Sequence, residues 1–306
     1  MSSAEPVNLV LVYHPGALDV ADYQKIAQRV REVADNITVH IHEDRAAEPA
    51  LLTRLARHRT MVYSPMQLRA FVIARGAVYA GRPMLKSEQL LRLELAGVPV
   101  PPWSVLDRGK RYDPGRWGEY VVVKPQSSSQ AQGVKIMQTR VLNETSARVR
   151  QYERGRDSFL LQKLVFNPAF GKIRIETLFD EVLFARLFRF PEPLNLGTPE
   201  DVVRYEASFA SETSRAEDFE SAAVFALAKQ CWRAFDGAVL LGLDVLLDEA
   251  GSPFFIEANP GGNTWHISSA ARGQMLRARG TFLEAQFGAF ERAGEVLARR
   301  ALEDAL

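Results

Sequence analysis

The feature that most constrains the fold is a hairpin near the C-terminal end of the chain. Two apolar runs, residues 242–248 and 253–262, flank a short segment with the composition of a hairpin turn. Symmetric pairing about this turn places Asp244 opposite Glu257, and Asn259 faces the same side two residues further on. Like charges directly opposite each other destabilise a sheet, so the pair has two interpretations: a cation bound between the acids, or a solvated hairpin end with incidental acids. Carboxylate and amide oxygens suit magnesium, and we expect these three residues to be metal ligands.

Composition limits the classes of protein to which the chain can belong. The 306 residues are 47 % hydrophobic and 25 % charged, which is the balance of an ordinary globular protein. A net charge of +1 gives no global field for nucleic acid or an anionic membrane. The single cysteine, Cys231, excludes an internal disulfide and suits a reducing compartment. With no signal peptide and no apolar run of about 20 residues, we expect a cytoplasmic protein without nucleic-acid or membrane partners.

The first part of the chain alternates strand and helix patterns. Apolar strands are expected at residues 8–13, 37–41 and 60–64, with helices at residues 22–33 and 51–58 between them. This alternation predicts a small parallel α/β layer that closes near residue 83. Further on, the pattern predicts a mixture of strands and helices, including a long helix over residues 217–235 and a terminal helix over residues 280–306.

Two lysines are candidates for binding phosphate. Lys124 lies near the end of an apolar strand, Tyr120–Pro125, and a polar loop follows it. The strand would fix the lysine stem, while the small residues of the loop could offer hydroxyls and backbone N–H groups to a triphosphate. Lys86 begins a helix further upstream and supplies a second cation. For each lysine the alternative is a solvated surface side chain. The loop residues concerned are Ser127, Ser128, Ser129 and Gly133.

Other polar residues stand out on apolar strands. Gln162 lies in the run Phe159–Val165, where its amide and an exposed backbone edge could read an adenine; a plain sheet strand is the alternative. Arg174 alternates with isoleucines, so it faces away from them and could contact phosphate. Arg186 and Arg189 lie on or just beyond the strand expected to pair with it.

The order of these elements resembles the ATP-grasp superfamily, and the segment from Lys86 to Pro101 is most similar to its peptide-ligase branch. The resemblance covers about residues 86–262. It implies an α/β protein, α+β in the ATP-grasp part, in which a small parallel N-terminal domain precedes two ATP-grasp subdomains. The expected boundaries are 1–83, 84–160 for the subdomain with the phosphate loop, and 161–306 for the subdomain with the metal site.

The resemblance also implies a reaction and roles for the residues. Lys86, Lys124 and the loop would hold the phosphates of ATP, while the segment at Gln162, Lys163 and Val165 would receive its adenine. Magnesium would bind at the three hairpin residues, and Arg174 would steady the transferring phosphoryl group together with Lys124. The reaction would be ATP-dependent formation of an amide through an acyl phosphate. Its substrates would be a small carboxylate and an amine, and amino acids or short peptides are expected. A homodimer is expected on base rates.

Three departures from the family pattern accompany this resemblance. The phosphate loop has only one glycine, Gly133. Gly242 stands where D-alanine ligases place an arginine, which argues against D-alanine ligation and leaves Arg174 or Arg186 to stabilise an anion. No acid follows Val165 to hold a ribose. Two other functions therefore stay open: a kinase for a small metabolite, or a nucleotide-binding protein without turnover. Trp265 and His266, and the segment 191–214, are candidates for the substrate side.

Overall fold

A computed structural model provides the structure of the chain. It describes residues 6–73, 76–107, 109–127, 132–144, 158–167, 171–189, 203–204, 216–260, 273–274 and 282–304. The strands are β1 (Val7–Tyr13), β2 (Ile37–Glu43), β3 (Arg59–Ser64), β4 (Ala77–Ala80), β5 (Trp103–Val105), β6 (Tyr120–Pro125), β7 (Lys135–Gln138), β8 (Phe159–Lys163), β9 (Lys172–Leu178), β10 (Glu181–Phe188), β11 (Val203–Arg204), β12 (Ala216–Asp218), β13 (Leu240–Leu247) and β14 (Pro253–Asn259). The helices are α1 (Val20–Val33), α2 (Pro49–Leu55), α3 (Lys86–Leu95), α4 (Pro114–Trp117), α5 (Thr139–Glu144), α6 (Ala222–Gln230), α7 (Leu283–Phe287) and α8 (Ala289–Glu303).

The N-terminal sheet is parallel, as the alternating pattern predicts. Its order is β2-β1-β3-β4, and the central strand β1 is buried almost throughout. A strand covered on both faces needs a continuous apolar run, which is why β1 carries no polar alternation. The sequence pattern did not predict β4, which is short and only half-buried.

The other described strands form two antiparallel sheets. The second sheet has the order β11-β7-β6-β8-β5, and the third has the order β12-β10-β9-β13-β14. The α/β fold class, with a parallel layer followed by two antiparallel sheets, is confirmed. All of β8 pairs within the second sheet, so the boundary expected between residues 160 and 161 would cut a strand. We propose instead that the second subdomain extends through Lys163.

The expected helix over residues 217–235 is wrong in extent. Residues Ala216–Asp218 form an edge strand against β10, and α6 begins only after Ser221, whose hydroxyl accepts a hydrogen bond from the N–H of Val224. A 3₁₀ turn, Cys231–Ala234, follows α6. Ser221 is a typical helix N-cap, and the sequence therefore carried the signal for this boundary.

The terminal helix is divided in two. Gly288, in a left-handed conformation with φ 56°, ends α7 and precedes α8. Helix α8 packs directly on α1, and both helices share a core with the N-terminal sheet. Gly294 allows α8 to approach α1 closely, because a Cβ at this position would lie 2.7 Å from Cβ of Arg29. The last helix thus belongs to the same core as the first sheet. Among the described residues, no helix is long and apolar enough to cross a membrane.

Candidate active site

The β13–β14 hairpin pairs Asp244 with Glu257, as the sequence predicts, and Gly242 with Asn259. The register nearer the turn differs by one residue, because Val245 pairs with Phe255. A β-bulge at Ile256 absorbs this difference. Bulges occur often beside active sites, where they re-aim a side chain or free a backbone group. Without this bulge the two acids would not be opposite each other.

The bulge meets Lys124 from the second sheet. The Nζ atom of Lys124 donates a hydrogen bond to the carbonyl oxygen of Ile256 at 3.0 Å. Lys86, at the start of α3, lies with its Nζ 3.7 Å from Oε1 of Glu257. Both lysines are buried, which rules out the alternative of solvated surface side chains. Burial lowers the pKa of Lys124 to about 8, although the nearby Glu257 carboxylate acts in the opposite direction.

Asp244 is held by two cations. Its Oδ1 accepts a hydrogen bond from Nη1 of Arg174 at 2.9 Å, and its Oδ2 accepts one from Nζ of Lys172 at 3.0 Å. Burial alone would raise the pKa of this carboxyl, but Lys172 and Arg174 hold it well below its usual range. Asp244 is therefore ionised at neutral pH, and each of its two oxygens accepts a hydrogen bond from a cationic side chain.

Strand β9 contributes a row of three charged side chains to the same face. Arg174 pairs with Asp244 in register, and Lys172 and Glu176 follow at the period of two that a strand imposes. Glu176 is fully buried beside Gly242, and its Oε2 lies 3.6 Å from Nε of Arg174. Sequence reasoning singled out only Arg174. The alternation with isoleucines could have identified Lys172 and Glu176 as well.

Asn259 presents its amide to the neighbouring strand. Its Nδ2 donates to the carbonyl oxygen of Gly242 at 3.3 Å, which leaves Oδ1 as the atom able to bind a cation. Among the described residues, no set of three acidic, histidine or cysteine side chains is arranged so that those side chains alone could hold a metal ion. A divalent ion here would thus depend on two carboxylates, one amide and oxygens from its ligand or water.

The phosphate loop is described only at its two ends. Ser127 is exposed, whereas Ser128 and Ser129 lie outside the described residues. Gly133 has φ 72°, and a Cβ there would lie 3.0 Å from Cγ of Pro125. A side chain would be strained in that backbone conformation, so glycine suits the point where the loop returns towards the lysine strand.

Strand β8 is not an exposed edge, contrary to expectation. It lies between β6 and β5, and Gln162 pairs with both Val122 and Trp103. Gln162 shares a face with Lys124, is buried, and has no hydrogen-bond partner for its Nε2 within the described part of the chain. Lys163 has its side chain on the opposite face and its N–H bonded to Pro102, so its carbonyl is the group left to face a ligand. Val165 follows the end of β8 and is 9 % exposed.

The other two candidate arginines have partners away from the hairpin. Arg186 is in register with Arg174 on β10, and its Nη1 donates to Oε1 of Gln286 at 3.0 Å. Arg189 is half-exposed and forms an ion pair with Glu217 at 2.8 Å. Residues 191–202 and 205–214, and the pair Trp265 and His266, lie outside the described residues.

The donor set fits a nucleotide with magnesium. Lysines bind phosphate, the three oxygen-bearing hairpin residues bind hard divalent ions, and the unpartnered Nε2 of Gln162 is a buried donor on the lysine face. Among the described residues of this cluster, four cationic side chains offset three carboxylates: Lys86, Lys124, Lys172 and Arg174 against Glu176, Asp244 and Glu257. Such a balance favours a polyanion that arrives together with a cation.

Comparison with solved structures identifies the fold. D-cycloserine synthetase DcsG aligns over 96 % of this chain and 99 % of its own, with a TM-score of 0.54 and 16 % identity. The ATP-grasp ligase PsnB, complexed with a phosphomimetic variant of its minimal precursor, Mg and ADP, aligns over 98 % of this chain and 100 % of its own, with a TM-score of 0.55 and 15 % identity. The chain has the ATP-grasp fold.

A third ATP-grasp structure agrees with this result. A RimK domain protein from Sphaerobacter thermophilus aligns over 95 % of this chain and 98 % of its own, with a TM-score of 0.51 and 14 % identity. No protein-family profile and no curated protein sequence matches the chain. The ATP-grasp architecture is therefore evident in three dimensions although sequence identity to these proteins is low.

Proposed function

We propose that this protein is an ATP-dependent carboxylate–amine ligase that forms an amide or peptide bond and releases ADP and phosphate. One observation carries the proposal. Two buried lysines, Lys86 and Lys124, converge on the hairpin strand that bears Glu257, one by an ion pair and the other through the bulged carbonyl of Ile256. Burying two ammonium groups is costly, and a phosphate chain bound between them would offset that cost.

The adenine of ATP would lie along β8. Gln162 offers its buried amide on the lysine face, and the carbonyl of Lys163 and the backbone of Val165 follow it. Ser127, Ser128, Ser129 and Gly133 would cover the phosphates as the loop closes. The ATP-grasp ligase PsnB, which shares this fold, has been solved in complexes with Mg and ADP and with AMPPNP, which supports ATP and Mg²⁺ as the cofactors.

Asp244, Glu257 and Asn259 would hold magnesium. When bound, the ion would neutralise charge on the phosphates and polarise the transferring group. Asp244 and Glu257 are paired across the hairpin, and Asn259 lies on the same face of β14 as Glu257, while Lys86 and Lys124 would neutralise the remaining phosphate charge. Catalysis by positioning and electrostatics needs no protein nucleophile.

The reaction would proceed through a substrate acyl phosphate. A substrate carboxylate attacks the γ-phosphorus, ADP leaves, and an amine then displaces phosphate from the acyl group. Arg174, with Lys124, would stabilise the negative charge that spreads over the transferring phosphoryl group. Arg174 is suited to this role because its guanidinium stays charged even when buried. The substrates would be small carboxylates and amines, among them amino acids or short peptides, and a homodimer remains the expected assembly.

The test is ADP release from the purified protein supplied with ATP, Mg²⁺ and pairs of carboxylates and amines. A ligase releases ADP only when a suitable pair is present, and mass spectrometry then finds the condensed product. With the carboxylate alone, hydroxylamine should trap a hydroxamate. A stable phosphorylated product formed without any amine would contradict the ligase and indicate a kinase.

Two variants make this test specific for the site. Glu257→Gln should fold and lose ADP release, since it removes the charge opposite Asp244. Glu284→Gln is the matched control, because Glu284 is an exposed acid paired with Lys25 on the far helices. Equal activity in both variants would place the chemistry elsewhere.

A further inference from the structure

Lys172 is a residue of the charged cluster that has no role in the function proposed above. It is the first residue of β9, and its ammonium donates a hydrogen bond to Oδ2 of Asp244 at 3.0 Å. Asp244 is also the residue whose oxygens the proposed metal needs. An ammonium and a divalent ion at the same carboxylate oxygen repel each other, and the low dielectric of a buried site strengthens that repulsion. One of them has to give way.

The two cations on Asp244 differ in how firmly they are held. Arg174 is buried and also lies 3.6 Å from Oε2 of Glu176, so it has a second carboxylate partner. The planar guanidinium group of Arg174 also restricts the geometry in which it can bond to carboxylates. The side chain of Lys172 is 20 % exposed, against 11 % for Arg174, and it ends in a flexible four-carbon stem. Of the two cations, Lys172 is therefore the one whose charged end can reach water with the smaller rearrangement.

The backbone of Lys172 is fixed although its side chain can move. A Cβ on the preceding Gly171 would lie 1.7 Å from the carbonyl oxygen of Phe188, so glycine is required there and the start of β9 is clamped against the end of β10. The ammonium can therefore change position while the backbone of Lys172 stays in place. It can pair again with Oδ2 of Asp244 when that oxygen is not bound to another cation.

We propose that Lys172 is an internal counter-ion, which occupies Asp244 in the metal-free protein and is displaced by the divalent cation. This role rests on the metal site proposed above. The counter-ion offsets the repulsion between the facing carboxylates of Asp244 and Glu257 when no metal is bound. It also weakens the affinity for free metal, so the site favours a cation that arrives with the negative charge of a nucleotide.

The experiment is a titration of the full-length protein with Mn²⁺ alone, in which electron paramagnetic resonance measures the free ion. Lys172→Met removes the competing charge and keeps the length of the stem, and it should bind Mn²⁺ about five- to tenfold more tightly than the unmodified protein. Lys172→Arg keeps a cation that is harder to displace and should bind more weakly. Lys229→Met, an exposed lysine paired with Glu181, is the control for loss of one positive charge and should leave the affinity unchanged.

The outcomes separate this role from the metal site itself. If Glu257→Gln lowers Mn²⁺ affinity but Lys172→Met binds like the unmodified protein, or more weakly, the metal site stands and the counter-ion role is wrong. If Glu257→Gln leaves Mn²⁺ binding unchanged, the metal site is wrong and the counter-ion role falls with it. Lys172→Arg retains the ion pair and the fold, so the order Met, Lys, Arg in decreasing affinity is the supporting result.

Discussion

Replacing Asp244 by asparagine should destabilise the metal-free protein markedly. The substitution keeps the size of the side chain and removes the charge that Arg174 and Lys172 share at 2.9 and 3.0 Å. Breaking a buried ion pair by removing one partner costs about 3–5 kcal/mol. Lys172 can turn towards solvent and Arg174 keeps Glu176, which reduces the expected loss to about 2–3 kcal/mol. For a chain of this length, that loss lowers Tm by about 4–6 °C.

Differential scanning calorimetry at pH 7 without nucleotide or metal measures this shift. Asp236→Asn is the matched control, because Asp236 forms an equally direct ion pair with Arg92 at 2.6 Å but is largely exposed. Its backbone has φ 39°, which asparagine tolerates, so the control should unfold at the temperature of the unmodified protein. A Tm loss below 1 °C for Asp244→Asn, or equal losses in both variants, would refute the assignment of Asp244 as the charge centre of the cluster.

Three further predictions concern pH and packing. Burial lowers the pKa of Lys124 to about 8, so ATP affinity measured by calorimetric titration should fall from pH 7 to pH 9, whereas Lys124→Arg should abolish that fall. Partial burial acts to raise the pKa of Asp180, but hydrogen bonds from Arg299 and Arg300 lower that pKa to about 2. The stability it adds, about 1 kcal/mol after solvent screening, is present above pH 4 and lost towards pH 2, so acid titration of Asp180→Asn should converge with the unmodified protein there. Gly171→Ala, by pressing a Cβ onto the carbonyl of Phe188, should cost about 3 kcal/mol in urea unfolding.

The hairpin could be predicted from the sequence because pairing is a local rule. Symmetry about a four-residue turn places Asp244 opposite Glu257, and the structure has the same pair, although the pairs nearer the turn are offset by one residue and the bulge restores the register. The bulge at Ile256 could not be foreseen, because it depends on how β14 meets the neighbouring sheet, where Lys124 takes the freed carbonyl. The pattern gave the partners correctly and missed the distortion that brings a lysine to them.

The third sheet shows where local rules stop. Lys172 and Glu176 lie on β9, but their importance comes from the register of that strand with β13, where Asp244 lies 70 residues beyond Arg174 along the chain. The segment near Glu217 was expected to begin a long helix, yet it pairs with the edge of β10 as a short strand. Tertiary pairing overrides propensity at such edges.

Binding of ATP in the presence of Mg²⁺ to the unmodified protein and to three single-site variants is the most direct test of the active site. Isothermal titration calorimetry should show saturable binding by the unmodified protein, at least tenfold weaker binding by Glu257→Gln and Lys124→Met, and unchanged binding by Glu284→Gln. Loss of one charge-assisted contact to phosphate, worth about 1.5–3 kcal/mol, accounts for that factor. Failure of the unmodified protein to bind ATP, or equal affinity in all four proteins, would contradict the proposal that these lysines and acids form a nucleotide site.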